Sequence, residues 1–154
     1  MLMTGSGPID AERAFARVAR ARRLAAIARR IRRGRCTGGR LPVYDERVLR
    51  SSRAQLIRGI REIPLSAIRG TLEPSRATLF DCGFRPAAAA RTRWQRVWLA
   101  EQRGAVLPPI SVVPVGDSYA IRDGHHRVSV ARARGALTID ATIEPGDDRL
   151  AAPG

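Results

Sequence analysis

The sequence predicts an α+β fold, a small mixed β-sheet with packed helices, preceded by a basic helix. Three observations carry this expectation. Two β-rich runs, ISVVPV at 110–115 and YAI at 119–121, are joined by Gly116-Asp117-Ser118, which reads as a hairpin turn. Further β-rich stretches, IREIPLSAI at 60–68 and IDATI at 139–143, are separated from that hairpin by segments of helical character. Residues 1–40 differ in composition, with eleven arginines against two acids.

Taken in order, residues 1–8 (MLMTGSGP) read as disordered. Asp10 is placed to cap a helix from about Ala11 to Arg33, stopped by Gly34 and the Gly38-Gly39 pair. Phe15, Val18, Ala21, Leu24, Ala25, Ala28 and Ile31 recur at intervals of three and four, which draws one apolar stripe on an otherwise arginine surface. A Gly/Pro-rich link (CTGGRLP) leads into residues 45–60, of mixed and helical character. Residues 60–68 read as a short strand and turn. Residues 86–104 read as a helix with Trp94, Val97, Trp98 and Leu99 on its apolar side. After the hairpin, a helix from about His125 to Arg134 ends at Gly135 in the C′ position. The closing strand is 139–143, and residues 145–154 read as a disordered tail. The chain thus divides into a basic helix and linker (1–40), a folded domain (41–144) and the tail.

The formal net charge is +14 and the pI near 11.7. Such a balance favours polyanionic partners: nucleic acid, nucleotides or an anionic membrane surface. Residues 1–40 contribute +9 and the remainder +5, so the basic helix is the main source. All basic residues are arginine. That suits two-toothed phosphate recognition, and it is also what a GC-rich coding sequence produces. The absence of lysine removes a lysine base, a Schiff base and a P-loop lysine. No apolar run approaches the ~20 residues needed to cross a bilayer, and Asp10 and Glu12 weigh against a transit peptide. Cys36 and Cys82 form no CxxC pattern and read as two reduced thiols of a cytoplasmic protein.

Chemistry concentrates at Arg122-Asp123-Gly124-His125-His126-Arg127. A strand ends, a glycine turns the backbone, and a helix begins at once. Its first turn offers unpaired N–H groups and the positive end of the helix dipole, an anion site before any side chain is considered. Arg127 can add a two-toothed contact to phosphate, and His125 and His126 add donors. Asp123 can cap the helix, orient a histidine or hold a metal. Neighbouring histidines on a helix diverge by about 100°, which disfavours a shared zinc ion, so no protein metal site is assigned. A Mg²⁺ that accompanies phosphates through Asp123 stays open. Arg91, Arg93 and Arg96 either line this pocket or form a solvated face, and Arg132 and Arg134 read as surface charges or nucleic-acid contacts.

The order IPLSAI, a helix, LPPISVVPVGDSYAIRDGHHRVSVARARG and a closing strand resembles the ParB/sulfiredoxin-like superfamily over 60–143. In ParB-type domains the corresponding helix opens with Gly-Glu-Arg-Arg, and in sulfiredoxin with Gly-Cys-His-Arg. Here the place is taken by Gly124-His125-His126-Arg127, and the Asp-Gly-His-His-Arg-Val motif is similar to that of small stand-alone actinobacterial ParB-like proteins. The resemblance implies a ParB/sulfiredoxin-like domain at 41–144 that binds a nucleoside triphosphate, CTP or ATP, with or without Mg²⁺. It implies phosphate contacts from Gly124 and Arg127, and His126 matches sulfiredoxin's histidine. His125 stands where sulfiredoxin has its catalytic cysteine and ParB its glutamate, so neither sulfinic acid reduction nor nucleotide hydrolysis is implied. No helix-turn-helix or dimerisation domain follows, so a complete DNA-segregation factor is not expected.

Three readings of function follow. The first is a nucleotide-responsive, DNA-associated regulatory module, cytoplasmic or nucleoid-associated. Gly124, His125, His126 and Arg127 hold phosphates, and Arg22, Arg23, Arg29, Arg30, Arg32 and Arg33 meet nucleic acid. The second is a Mg²⁺-dependent phosphotransferase or nuclease-type enzyme with His125 or Asp123 as general base. The third is a non-catalytic protein-interaction module with a vestigial site. A homodimer stays open, as does a basic helix that rests on an anionic membrane or packs on its own domain.

Overall fold

Helix α1 occupies Gly7–Ile31, with Asp10 in its first turn and Arg29 and Arg30 in its last. Both charge placements complement the helix dipole. In the computed structural model, which describes residues 7–31, 39–45 and 59–144, the helix begins before Asp10. Asp10 is therefore a first-turn acid and not the cap that its position suggests. The stripe predicted along α1 is used only in part. Of the stripe, Phe15 is buried, beside Ala11 and Ala14, whereas Leu24 and Ile31 are 58% and 78% exposed, and the neighbouring Ile27 is 55% exposed. The predicted helix within 45–60, the tail, Arg32 and Arg33 lie outside the described residues.

The sheet contains five strands: β1 (Gly59–Pro64), β2 (Ile68–Thr71), β3 (Ile110–Val115), β4 (Ser118–Asp123) and β5 (Thr138–Ile143). Their order is β1-β5-β3-β4-β2. The β3–β4 hairpin and the β1–β5 pair are antiparallel, while β5 runs parallel to β3 and β2 parallel to β4. The sheet is therefore mixed. Burial on both faces explains the continuous apolar runs of the hairpin: the adjacent Val112 and Val113, and Ala120 and Ile121, are all buried. Helix α2 (Arg91–Gln102) follows a 3-10 turn at Ala88–Ala90, and helix α3 (His125–Ala133) follows β4 directly.

Two apolar clusters hold these layers together. The larger joins the sheet to α3 through Ile63, Ile68, Phe80, Phe84, Val112, Ile121 and Val128. The smaller joins the three helices through Ala14, Phe15, Trp94 and Val130. Phe15 meets Trp94 edge-on with ring centroids 5.6 Å apart, and the Arg91 guanidinium lies 5.1 Å from the Phe15 ring. Trp94 Nε1 donates to Ser129 Oγ at 2.9 Å, and Ser129 donates to the Phe84 carbonyl at 2.6 Å. The basic helix thus shares a core with α2 and α3.

The segment between β2 and α2 turns on Asp81, which is fully buried. Its Oδ1 accepts from the backbone N–H groups of Gly83 and Arg85 at 2.9 and 2.8 Å. Beside it, Cys82 is disulfide-bonded, and no free cysteine is found among the described residues. This corrects the reading of two reduced thiols and removes their support for a reducing compartment; Cys36 lies outside the described residues. No helix among the described residues is long and apolar enough to cross a membrane.

Because Phe15 fills the junction of three helices, Phe15→Ala should cost about 3–5 kcal/mol of unfolding free energy, the range for emptying a buried aromatic site. Urea unfolding of the two proteins measures it. A loss near zero would mean that α1 does not share the domain core.

Candidate functional site

Parallel pairing of β2 with β4 sets the site. Thr71 at the end of β2 lies beside Ile121 near the end of β4, and Leu72 N donates to the Ile121 carbonyl at 2.9 Å. The chain leaving β2 enters a 3-10 turn at Pro74–Arg76, and the chain leaving β4 enters α3. Both exits therefore open on the same edge of the sheet. A cavity of about 210 Å³ lies there, lined by Arg76, Arg93, Asp123, Gly124, His126 and Arg127 among others.

Gly124 is the N-cap of α3, at φ 111° in the left-handed region. A Cβ there would sit 2.4 Å from Ile110 Cγ2 and 2.8 Å from Ile110 Cβ. Both conformation and space require glycine. A glycine has no side chain to cap with, and α3 has no side-chain cap hydrogen bond. Asp123 therefore does not cap the helix: its carboxylate is 81% exposed and accepts from Arg127 Nη2 at 2.9 Å. The first-turn N–H groups of α3 are left to the cavity.

Arg127 is also committed to its neighbours. Its Nη1 donates to the Pro108 carbonyl and, at 2.9 Å, to the Pro109 carbonyl. This ties the approach to β3 onto α3. The side chains of Arg76 and Arg93 differ, since no hydrogen bond or ion pair among the described residues engages either guanidinium. The sequence places Arg93 beside this pocket or on a solvated face, and it lines the pocket. Arg76 is missed by sequence reasoning, because its only local signal is the Glu73-Pro74 break after β2.

The two histidines are buried, with 4% and 8% of their surfaces exposed. Phe80 explains this. Its ring stacks on His125 at 6.3 Å and meets His126 edge-on at 5.2 Å. His125 Nε2 lies 2.6 Å from Thr71 Oγ1, which accepts from Glu73 N–H at 2.9 Å. Thr71 Oγ1 and His125 Nε2 share this hydrogen bond, and its direction follows the histidine tautomer. Burial, followed by the nearby Arg76 charge, lowers the His125 pKa to about 4. Burial, then Arg93 and Arg76, lowers that of His126 to about 4. Both rings are neutral at neutral pH, so positive charge in the cavity comes from arginine alone. A base with a pKa near 4 accepts protons weakly at neutral pH.

Other sequence-predicted residues are dispersed. Arg23 and Arg30 are exposed on α1, while Arg22 and Arg29 are half-buried. Arg29 Nη1 lies 3.8 Å from Asp81 Oδ2. Arg132 is not a surface charge, because its Nη2 donates to the Leu65 carbonyl at 2.8 Å. Arg134 pairs with Glu101 at 3.1 Å and lies 4.6 Å from the Trp98 ring centroid. Among the described residues, no group of three or more His, Cys, Asp or Glu side chains is arranged to hold a metal ion.

The histidines also set a pH dependence. Their folded pKa values, about 4, lie below the ordinary 6.5, so between these limits the unfolded chain binds protons that the folded chain does not. Stability is full above the upper limit and falls as pH drops towards the lower one. Urea midpoints measured across that window should decline on acidification, and His126→Gln should flatten the decline. A pH-independent midpoint would contradict the burial of these rings.

No family model matches the sequence, and no curated protein matches it. Among solved structures, the sulfiredoxin from Arabidopsis thaliana is similar, with 22% identity and a TM-score of 0.44 over 60% of this chain and 92% of that one.

Proposed function

We propose that the chain is a phosphate-binding module that takes the polyphosphate of a nucleoside triphosphate, CTP or ATP, at the start of α3, and that it is associated with DNA as a regulatory protein. The observation that carries this reading is the uncapped first turn of α3 facing the guanidiniums of Arg76 and Arg93, unpaired among the described residues, across one cavity. Oriented N–H groups and two cations converge on a space too small for a whole nucleotide, at about 210 Å³, and suited to its phosphates. Mg²⁺ enters with the nucleotide, since Asp123 is the one carboxylate lining the cavity. Gly124 provides the close backbone approach. His125 and His126 act as neutral donors or acceptors, and Arg127 orders the rim.

The enzyme reading is weaker at this site. His125 has one ring nitrogen committed to Thr71 and a pKa near 4, and the carboxylate of Asp123 is held by Arg127. Binding without turnover is therefore the expectation. For the DNA partner, Arg23 and Arg30 are the exposed arginines among the four of the expected set that are described, with Arg22 and Arg29 half-buried. The exposed Leu24, Ile27 and Ile31 favour an anionic membrane as the second reading for α1. Cosedimentation with phosphatidylserine vesicles, abolished in Ile27→Asp, would assign the helix to lipid.

Two outcomes test the proposal. Calorimetric titration with CTP and with ATP, each with Mg²⁺, should give saturable binding without product release, and Arg93→Gln should weaken it by about tenfold, the worth of one charge-assisted hydrogen bond. No binding by either nucleotide, or unchanged binding in the variant, would sink the nucleotide assignment. For DNA, replacing Arg23 and Arg30 together by glutamine should reduce the slope of log affinity against log salt by about 1.8, since each phosphate that an arginine neutralises contributes ~0.9. An unchanged slope would remove α1 from the interface.

A further inference from the structure

A second cavity, of about 480 Å³, lies between α1 and the C-terminal half of α3 and shares no lining residue with the histidine site. Its size falls in the range of roughly 300–1,000 Å³ common for small-molecule sites. Val18, Leu65, Phe84 and Leu137 give it apolar walls, and Arg85 and Arg132 bring two guanidiniums to the same space.

Among the described residues, charge around this cavity does not balance. The neighbouring acid is Asp81, whose Oδ1 is taken by two backbone N–H groups and whose Oδ2 lies 3.3 Å from Arg85 Nη1 and 3.8 Å from Arg29 Nη1. Arg132 has no carboxylate within ion-pair distance among the described residues. Its Nη2 donates to the carbonyls of Leu65 and Ile68 at 2.8 and 3.2 Å, while its buried Nε has no hydrogen-bond partner. Burial and then the Arg85 charge lower the Arg132 pKa, the direction expected of a cation that lacks a counter-ion.

The wall opposite is rigidly placed. Phe84 has φ 59°, uncommon for a residue with a side chain. It is held there by its N–H donating to the Asp81 carbonyl at 2.9 Å and by Ser129 Oγ donating to its own carbonyl at 2.6 Å. This sets the ring 5.0 Å from the Arg132 guanidinium carbon. Leu137 lines the same space yet is 83% exposed, so apolar surface is left in water next to two cations.

We propose that this cavity binds a small amphipathic organic monoanion, with its carboxylate held by Arg85 and Arg132 and its apolar body against Leu65, Phe84 and Leu137. A carboxylate matches the guanidinium fork, and one added negative charge offsets the uncompensated Arg132. A polyphosphate or a nucleic-acid backbone does not fit the same description, because the walls offer it hydrocarbon. This site belongs to a different ligand class from the start of α3 and stands or falls independently of it.

Phenylbutyrate is a suitable probe, with phenylbutanol as its uncharged counterpart. In ¹⁵N–¹H spectra of the full chain, phenylbutyrate should shift the amides of Ser66, Gly83 and Leu137 saturably while that of His126 stays in place. The alcohol should bind about tenfold more weakly. Arg85, with a side chain 39% exposed, can be replaced without emptying the core, and Asp81 then keeps its two backbone N–H donors and Arg29. Arg85→Met should therefore keep the native spectrum and lose most of the acid's advantage over the alcohol. Arg132→Met should lose it entirely. Equal affinity for acid and alcohol, no saturable shift, shifts confined to 124–127, or an Arg85→Met protein that still prefers the acid would each overturn the proposal.

Discussion

The joint between β4 and α3 is the constraint on which the rest of the molecule depends. At Gly124 the backbone takes φ 111° with Ile110 pressed where a side chain would begin. This close approach lets the chain turn from strand to helix with no intervening loop. It has two consequences. The helix starts without a side-chain cap, which leaves its first N–H groups to the cavity. It also starts directly over the sheet, which carries His125 and His126 under Phe80, Val128 into the larger apolar cluster and Val130 into the smaller. The feature that opens the anion site is the same one that fixes the core.

The arginines divide by environment and not by sequence position. With 28 arginines and 14 acids in the chain, one-to-one pairing leaves at least half of the guanidiniums to find partners other than carboxylates. Several use backbone carbonyls or rings: Arg127 on Pro109, Arg132 on Leu65 and Phe84, Arg134 on Trp98, and Arg91 on Phe15. These are structural uses of charge. What distinguishes the cavity at α3 is that the side chains of Arg76 and Arg93 find none among the described residues, so their charge is available to a ligand. Neutral histidines keep that field free of further repulsion.

Local signals are readable where one stretch of chain determines its own geometry. The Gly116-Asp117 hairpin, the strand–glycine–helix joint at Gly124 and the stop at Gly135 all follow from turn chemistry and periodicity, and the structure has them. Features set by pairing between distant segments are not readable. Thr71 reaches His125 only because β2 runs parallel to β4, and Phe80 covers both histidines from a segment without regular structure. A pair of polar rings at a helix start gives no hint of such burial. The stripe on α1 misleads for a related reason: periodicity marks an apolar face but not how far the partner helices extend along it. The bonded state of Cys82 likewise depends on proximity that spacing alone does not encode.

The central claim is that the open first turn of α3 is an anion site. Its most direct test follows the backbone amide resonances of His125, His126 and Arg127 during titration with inorganic tripolyphosphate at neutral pH, which removes base and sugar from the question. Saturable downfield shifts at these three amides, with α1 amides unmoved, are the predicted result. Shifts that fail to saturate, or that appear only along α1, would show that the anion is held by diffuse arginine charge and that the joint at Gly124 builds no site.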